Sequence, residues 1–111
     1  MDTFPFTGVT TTFEALWKNV PVISKLGYNF NSRCGESILK NANIENFIAI
    51  SNDDYVDKAV YYANNINELD KIRKDLFNKI RETPLFDTKG FSSDFCEALE
   101  NMQRIRSENY K

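Results

Sequence analysis

Asp2-Thr3-Phe4-Pro5-Phe6-Thr7-Gly8-Val9-Thr10-Thr11-Thr12-Phe13-Glu14-Ala15-Leu16-Trp17 is the stretch on which the fold turns. Pro5 breaks any helix through its first part, Thr7-Gly8 makes a turn, and the threonine run leads into apolar residues at 13, 16, 17 and 20. That spacing predicts a short helix with a threonine at its N-cap, ended by Asn19. Pro21-Val22-Ile23-Ser24 follows as a β-branched run that reads as a short buried strand. Helix followed at once by strand is the opening of an alternating α/β chain.

Downstream the alternation continues. Residues 25–31 read as a loop containing Gly27, and from Ser32 the set Cys34, Ile38, Leu39 and Ala42 recurs at helical spacing until Asn41 to Asn43 stop it. Phe47-Ile48-Ala49-Ile50 is continuously apolar, as in a strand covered on both faces, and Ser51-Asn52-Asp53-Asp54 supplies a cap and an acidic first turn. Tyr55, Val56, Ala59, Val60 and Ala63 make the next helix. Asn65 with Glu68 has capping-box spacing ahead of the stripe Ile66, Leu69, Ile72, Leu76, Phe77, Ile80. Pro84 ends that helix, and Phe91, Phe95, Leu99, Met102 and Ile105 carry a last one starting near Ser92 or Ser93. Met1 to Phe4 is a third, weaker strand candidate. The expected fold is α/β: short parallel strands alternating with helices over residues 1–64, then two helices over 65–111. So few strands make only part of a sheet, which implies a partner lobe or an upstream piece.

The chain has 111 residues, 41% hydrophobic and 14% aromatic, enough for one packed domain. Lys and Arg total 14 against 16 Asp and Glu, a net charge of −2 that argues against nucleic acid or an anionic membrane as partner. Histidine is absent, which excludes histidine metal sites and Ser/His or Cys/His catalysis within this polypeptide. No apolar run approaches the roughly 20 residues that span a bilayer, and the chain opens on Met1-Asp2 rather than a basic leader, so a soluble cytoplasmic protein is expected. Cys34 and Cys96 match no metal spacing and read as free, buried, inert thiols. Asp53, Asp54 and Asp57 open a helix, where the dipole favours acids without any metal, and no metal or cofactor is expected. Glu14 and Glu36 are lone carboxylates, neither a catalytic candidate. Trp17 and Tyr61-Tyr62 read as packing residues. Arg33 either meets a phosphate or pairs with Glu36 one turn on.

At a helix N-terminus the first backbone N–H groups are unpaired and the macrodipole is worth about +0.5 charge, so a phosphate is accommodated there. Thr10 and Thr11 add hydroxyl donors, Gly8 permits close approach of a ligand, and Glu14, one turn in, stands where it could accept from a ribose hydroxyl. On physics alone this signal is weak, since helices commonly begin with threonines that merely cap, and simple capping is the favoured reading.

The stretch DTFPFTGVTTTFEALW followed by VPVIS resembles the donor-binding segment of glycosyltransferase family 41, the protein O-linked N-acetylglucosamine transferases and the Spindly-type O-fucosyltransferases. The likeness continues through Ser32-Arg33, Phe47 to Ser51, and Thr83-Pro84-Leu85-Phe86-Asp87-Thr88-Lys89. It implies a GT-B enzyme of two Rossmann-like lobes, with this chain as the last part of the C-terminal one: residues 1–64 the nucleotide-sugar-binding α/β part, 65–111 the terminal helices. It further implies Thr10 and Thr11 at the donor phosphates and Glu14 at the ribose. Val9 stands where the N-acetylglucosamine enzymes commonly place histidine, and Glu14 where they place aspartate. The threonine run followed by Glu14 looks more like the Spindly type, whereas Ser32-Arg33 and Pro84-Leu85-Phe86-Asp87-Thr88-Lys89 look more like the N-acetylglucosamine type, so the nucleotide sugar is open between UDP-GlcNAc and GDP-fucose. The family's catalytic residues lie upstream of the matched segment. No catalytic residue is therefore expected here, and transfer to a protein acceptor would need an upstream catalytic lobe or a split partner chain. The alternative is a non-catalytic remnant or helical docking module, with the stripes of the last two helices partly exposed.

Overall fold

A computed structural model describes residues 1–109; Tyr110 and Lys111, the end of the expected helical segment, lie outside the described residues. The order is α1 (Thr10–Trp17), β1 (Ser24–Lys25), α2 (Phe30–Asn41), a 3-10 turn (Glu45–Phe47), β2 (Ile48–Ala49), α3 (Asn52–Asn64), α4 (Ile66–Arg81), a second 3-10 turn (Pro84–Phe86) and α5 (Thr88–Asn109). The chain is thus α/β and mostly helical. β1 and β2 form a parallel pair in register Ser24 with Ile48 and Lys25 with Ala49, and α2 is the crossover between them.

Local chemistry explains where each helix starts. Asn29 caps α2 by accepting from the Ser32 amide at 3.0 Å, while the Ser32 hydroxyl accepts from the Asn29 amide at 3.1 Å, a reciprocal box that begins the helix ahead of the expected Ser32. Ser51 caps α3 as expected, accepting from the Asp54 amide at 3.0 Å. The Asn65/Glu68 box does not form. Asn65 is both the end of α3 and the start of α4, and its amide group donates back to the Tyr61 carbonyl at 2.8 Å, leaving Glu68 to accept from the Tyr61 hydroxyl. The last helix begins at Thr88, not Ser92, because Asp87 accepts from the Gly90 amide at 2.9 Å and so caps it.

Met1 to Phe4 is not a strand. Pro5 lacks an N–H, and the amides of Thr3 and Gly8 turn to the Asp2 carboxylate instead of a ladder. Phe47 likewise lies in the 3-10 turn, so the apolar run Phe47 to Ile50 contributes only Ile48–Ala49 to the sheet and Ile50 is exposed. Asn19 ends α1 in the left-handed conformation at φ 59°, which asparagine tolerates, and pins it to α4 by accepting from the Phe77 amide and from Arg73 Nε.

The core lies between the strand pair, α2 and the inner faces of α1, α3 and α4, around Leu16, Leu39, Phe47, Ala49, Leu76 and Ile80. Trp17 is not in it. It is half exposed, packed edge-on against Phe77 and tilted against Phe86, because that side of α1 is covered only by α4 and the second 3-10 turn. Tyr62 is buried and stacks on Phe47, whereas Tyr61 is half exposed. Both cysteines are free, but Cys34 is only half-buried and Cys96 exposed, since α5 buries none of its side chains. Along α5, Phe91, Phe95, Leu99, Met102 and Ile105 all stand at least half exposed. The projecting helix, about 33 Å long at 1.5 Å per residue, gives a radius of gyration of 17.6 Å, against about 13 Å for a compact chain of this length. Among the described residues no helix is long and apolar enough to cross a membrane.

Candidate functional site

The segment before α1 is built on side chains that turn inward. Thr7 is fully buried; its hydroxyl donates to the Asn31 carbonyl and accepts from the Gly35 amide at 3.0 Å, tying the turn to α2. Thr12 is buried too, and its hydroxyl donates to the Gly8 carbonyl at 3.0 Å, closing the first turn from below. With those two facing in, Thr10 and Thr11 face solvent. Val9 occupies the N-cap position and offers no side-chain cap, so the first amides of α1 carry neither an intrahelical nor a side-chain acceptor. The expected threonine cap is therefore absent: all three threonines lie inside the helix.

Gly8 is crowded by side-chain oxygens rather than held by its backbone angle. A Cβ there would come within 2.5 Å of the Thr11 hydroxyl and 3.1 Å of the Asp2 carboxylate. Glu14 is exposed one turn after Thr10, and the two share a helix face. It borders a cavity of about 590 Å³ walled by Phe13, Trp17, Lys18 and Phe86. Thr10, Thr11 and Glu14 are all exposed on the first turns of α1, and neither threonine lines the cavity beside Glu14.

Asp2, which no sequence signal singled out, holds this end in place. Its carboxylate accepts from the Gly8 amide at 2.8 Å, the Thr3 amide at 2.9 Å and the Ser24 hydroxyl at 2.9 Å. Its own amide donates to the Ile23 carbonyl at 2.9 Å, and its carbonyl accepts from the Tyr55 hydroxyl. Burial, and then the nearby Asp2 charge, push the Tyr55 hydroxyl up, so it stays a donor.

Of the two readings open for Arg33, the structure has the ion pair. Arg33 meets Glu36 through two contacts of 2.8 and 3.2 Å, and Lys40 meets the other side of the same carboxylate at 2.8 Å. The Glu36 side chain is 8% exposed, and the Arg33 hydrogen bonds, then the Lys40 bond, hold its carboxyl below the usual range. A carboxylate whose folded pKa is depressed contributes stability above its unfolded pKa and loses it as pH falls through the folded one. Glu36→Gln is therefore expected to lower the urea midpoint at pH 7, with the gap to the parent closing as pH falls from about 5 toward 3; parallel pH profiles would refute the assignment. Asp54 is also held down, by its bond to Lys58 and then by the Ile50 amide, so this acid is engaged in the α3 cap.

The sequence profile of "Glycosyl transferase family 41" matches residues 1–95. A protein of Solanum lycopersicum named "Probable UDP-N-acetylglucosamine--peptide N-acetylglucosaminyltransferase SPINDLY" is 33% identical over 104 residues, 94% of this chain and 11% of that protein. Its namesake in Eustoma exaltatum subsp. russellianum is 35% identical over 94 residues, 85% of this chain and 10% of that protein. A solved O-GlcNAc transferase mutant of Thermobaculum terrenum matches the fold with a TM-score of 0.89 at 27% identity, covering 99% of this chain and 21% of that one. The chain spans about a tenth of the length of these curated relatives.

Proposed function

This chain belongs to glycosyl transferase family 41, and on that premise we propose that it forms the donor-phosphate side of the C-terminal, Rossmann-like lobe of a GT-B protein O-glycosyltransferase. Residues 1–64 supply the nucleotide-sugar-facing part, and α4 and α5 follow as the terminal helices. The observation that carries this reading is the open N-terminus of α1, where Thr10 and Thr11 present hydroxyls to solvent beside amides that no side chain caps. Those donors and the helix dipole suit a diphosphate, and they would stabilise the charge that develops on it as the sugar leaves. Glu14, on the same face as Thr10, accepts from a ribose hydroxyl. Activation of the acceptor Ser or Thr falls to groups of an upstream catalytic lobe, because transfer needs donor and acceptor held together in a cleft. UDP-GlcNAc is the first donor of this reading. GDP-fucose is the second, favoured by the Spindly-like threonine run ending in Glu14. A cytoplasmic site of action belongs to the same reading.

Titration of the ¹⁵N-labelled chain with UDP and, separately, GDP tests it. Saturable amide shifts are expected over residues 8–14, and the nucleotide preferred identifies the donor class. Hydrogen bonds to a charged group are worth about 1.5–3 kcal/mol each, so Thr10→Ala with Thr11→Ala is expected to weaken binding at least about tenfold. Shifts elsewhere, or an unchanged Kd in the double variant, would sink the assignment. A helical docking module is the second reading, favoured by the exposed stripe of α5; it predicts binding of an apolar dye that is lost on Phe95→Glu with Leu99→Glu.

A further inference from the structure

We infer that Asp2 is the positioning residue of the donor-phosphate turn, the group that sets where Gly8 and the Thr11 hydroxyl stand; this rests on the donor reading of Thr10 and Thr11. Asp2 is fixed at both ends of its own backbone, to Ile23 in the segment entering β1 and to Tyr55 on α3. Its side chain then carries that anchorage outward. One carboxylate oxygen takes the Ser24 hydroxyl of β1, and the other takes the Gly8 amide just before α1. The carboxylate thus bridges the turn directly to the sheet, between residues 22 positions apart in the chain.

The second half of the inference is steric. A Cβ on Gly8 would meet the Thr11 hydroxyl at 2.5 Å, the Thr12 hydroxyl at 3.0 Å and the Asp2 carboxylate at 3.1 Å. The Gly8 carbonyl is held in turn by the Thr12 hydroxyl. The amide and carbonyl of Gly8 are thus both bonded, and the Thr11 hydroxyl is the nearest atom to where its Cβ would stand, so a displaced Gly8 is felt there first. A carboxylate suits this task because all three of its partners are donors, the Gly8 and Thr3 amides and the Ser24 hydroxyl. Asparagine keeps one carbonyl oxygen for the Gly8 amide and loses the second acceptor. Alanine leaves every donor unmet.

The test uses the full chain in three forms, the parent, Asp2→Asn and Asp2→Ala, with Asp87→Ala as a control that removes the cap of α5. Amide exchange at Gly8, the Thr11 amide resonance and the UDP and GDP titrations are read in each. Expected for Asp2→Ala are at least tenfold faster Gly8 exchange, a displaced Thr11 amide resonance, and at least tenfold weaker binding of the preferred diphosphate. Asp2→Asn is expected to recover most of all three, and Asp87→Ala to speed exchange at Gly90 with none of the three moved at the turn. A folded Asp2→Ala chain with parental Gly8 exchange and Thr11 resonance overturns the inference. If the parent chain binds neither diphosphate, the donor reading falls by itself, and Gly8 exchange and the Thr11 resonance still decide whether Asp2 positions the turn. Should Asp2→Ala not fold, Ser24→Ala provides the second arm. Removing that hydroxyl frees one side of the carboxylate and is expected to speed Gly8 exchange at least threefold; no change there also overturns the inference.

Discussion

Phe47→Ala is expected to lower the unfolding free energy by about 3–5 kcal/mol, the range for truncating a buried aromatic. Phe47 is 1% exposed, and its ring stacks on Tyr62 with centroids 4.6 Å apart and planes 13° from parallel. It sits in the 3-10 turn that feeds β2, so truncation opens a cavity between α3 and the sheet rather than at the surface. Tyr62 would lose its stacking partner, while its hydroxyl keeps the Asn46 bond. A domain of this size has about 5–15 kcal/mol in all, so the variant stands close to unfolding at room temperature. Denaturant unfolding followed by near-ultraviolet circular dichroism reads the change directly. A shift below about 1 kcal/mol would mean that Phe47 is not a core residue.

Gly35→Ala is expected to destabilise by about 2–4 kcal/mol, although the same exchange in an ordinary helix interior stabilises by about 1 kcal/mol. The reason is the approach of α2 to β1. A Cβ at Gly35 would lie 2.0 Å from the Ser24 hydroxyl, 2.9 Å from its Cβ and 3.2 Å from the Asp2 carboxylate. Moving Ser24 aside breaks its bond to Asp2 and leaves a buried hydroxyl without its acceptor, which costs about 1–3 kcal/mol beyond a similar overpacking term. Those two costs outweigh the propensity gain and decide the sign. Ser24→Ala in the same chain removes the nearest atom and is expected to recover part of the loss. An alanine variant as stable as the parent would show that α2 can slide on the strand.

The elements legible in the sequence were those whose signals are local. The helical spacing of Cys34, Ile38, Leu39 and Ala42, the Ser51 cap and the Asn19 stop all appear where periodicity and capping chemistry put them. Signals that serve two elements at once misled. Asn65 carries a cap pattern but is spent on ending α3, and the Phe91 to Ile105 stripe has the spacing of a core helix with nothing among the described residues to bury it. Of the candidate site, helix periodicity puts Thr10, Thr11 and Glu14 on the first turns of one helix, but their donor-binding role is implied only by the resemblance to glycosyltransferase family 41. Asp2 could not be placed with them, since its partners Gly8, Ser24 and Tyr55 meet it only once β1 and α3 are in place.

The projecting α5 also divides the molecule by stability. Among the described residues, every buried apolar side chain lies at or before Ile80, and the partly buried ones packed on them end at Phe86. The 22 residues of α5 add none. Local opening costs least where few apolar contacts are buried, so α5 can fray and reform while the core stays closed, and its amides exchange with solvent ahead of those of the core helices.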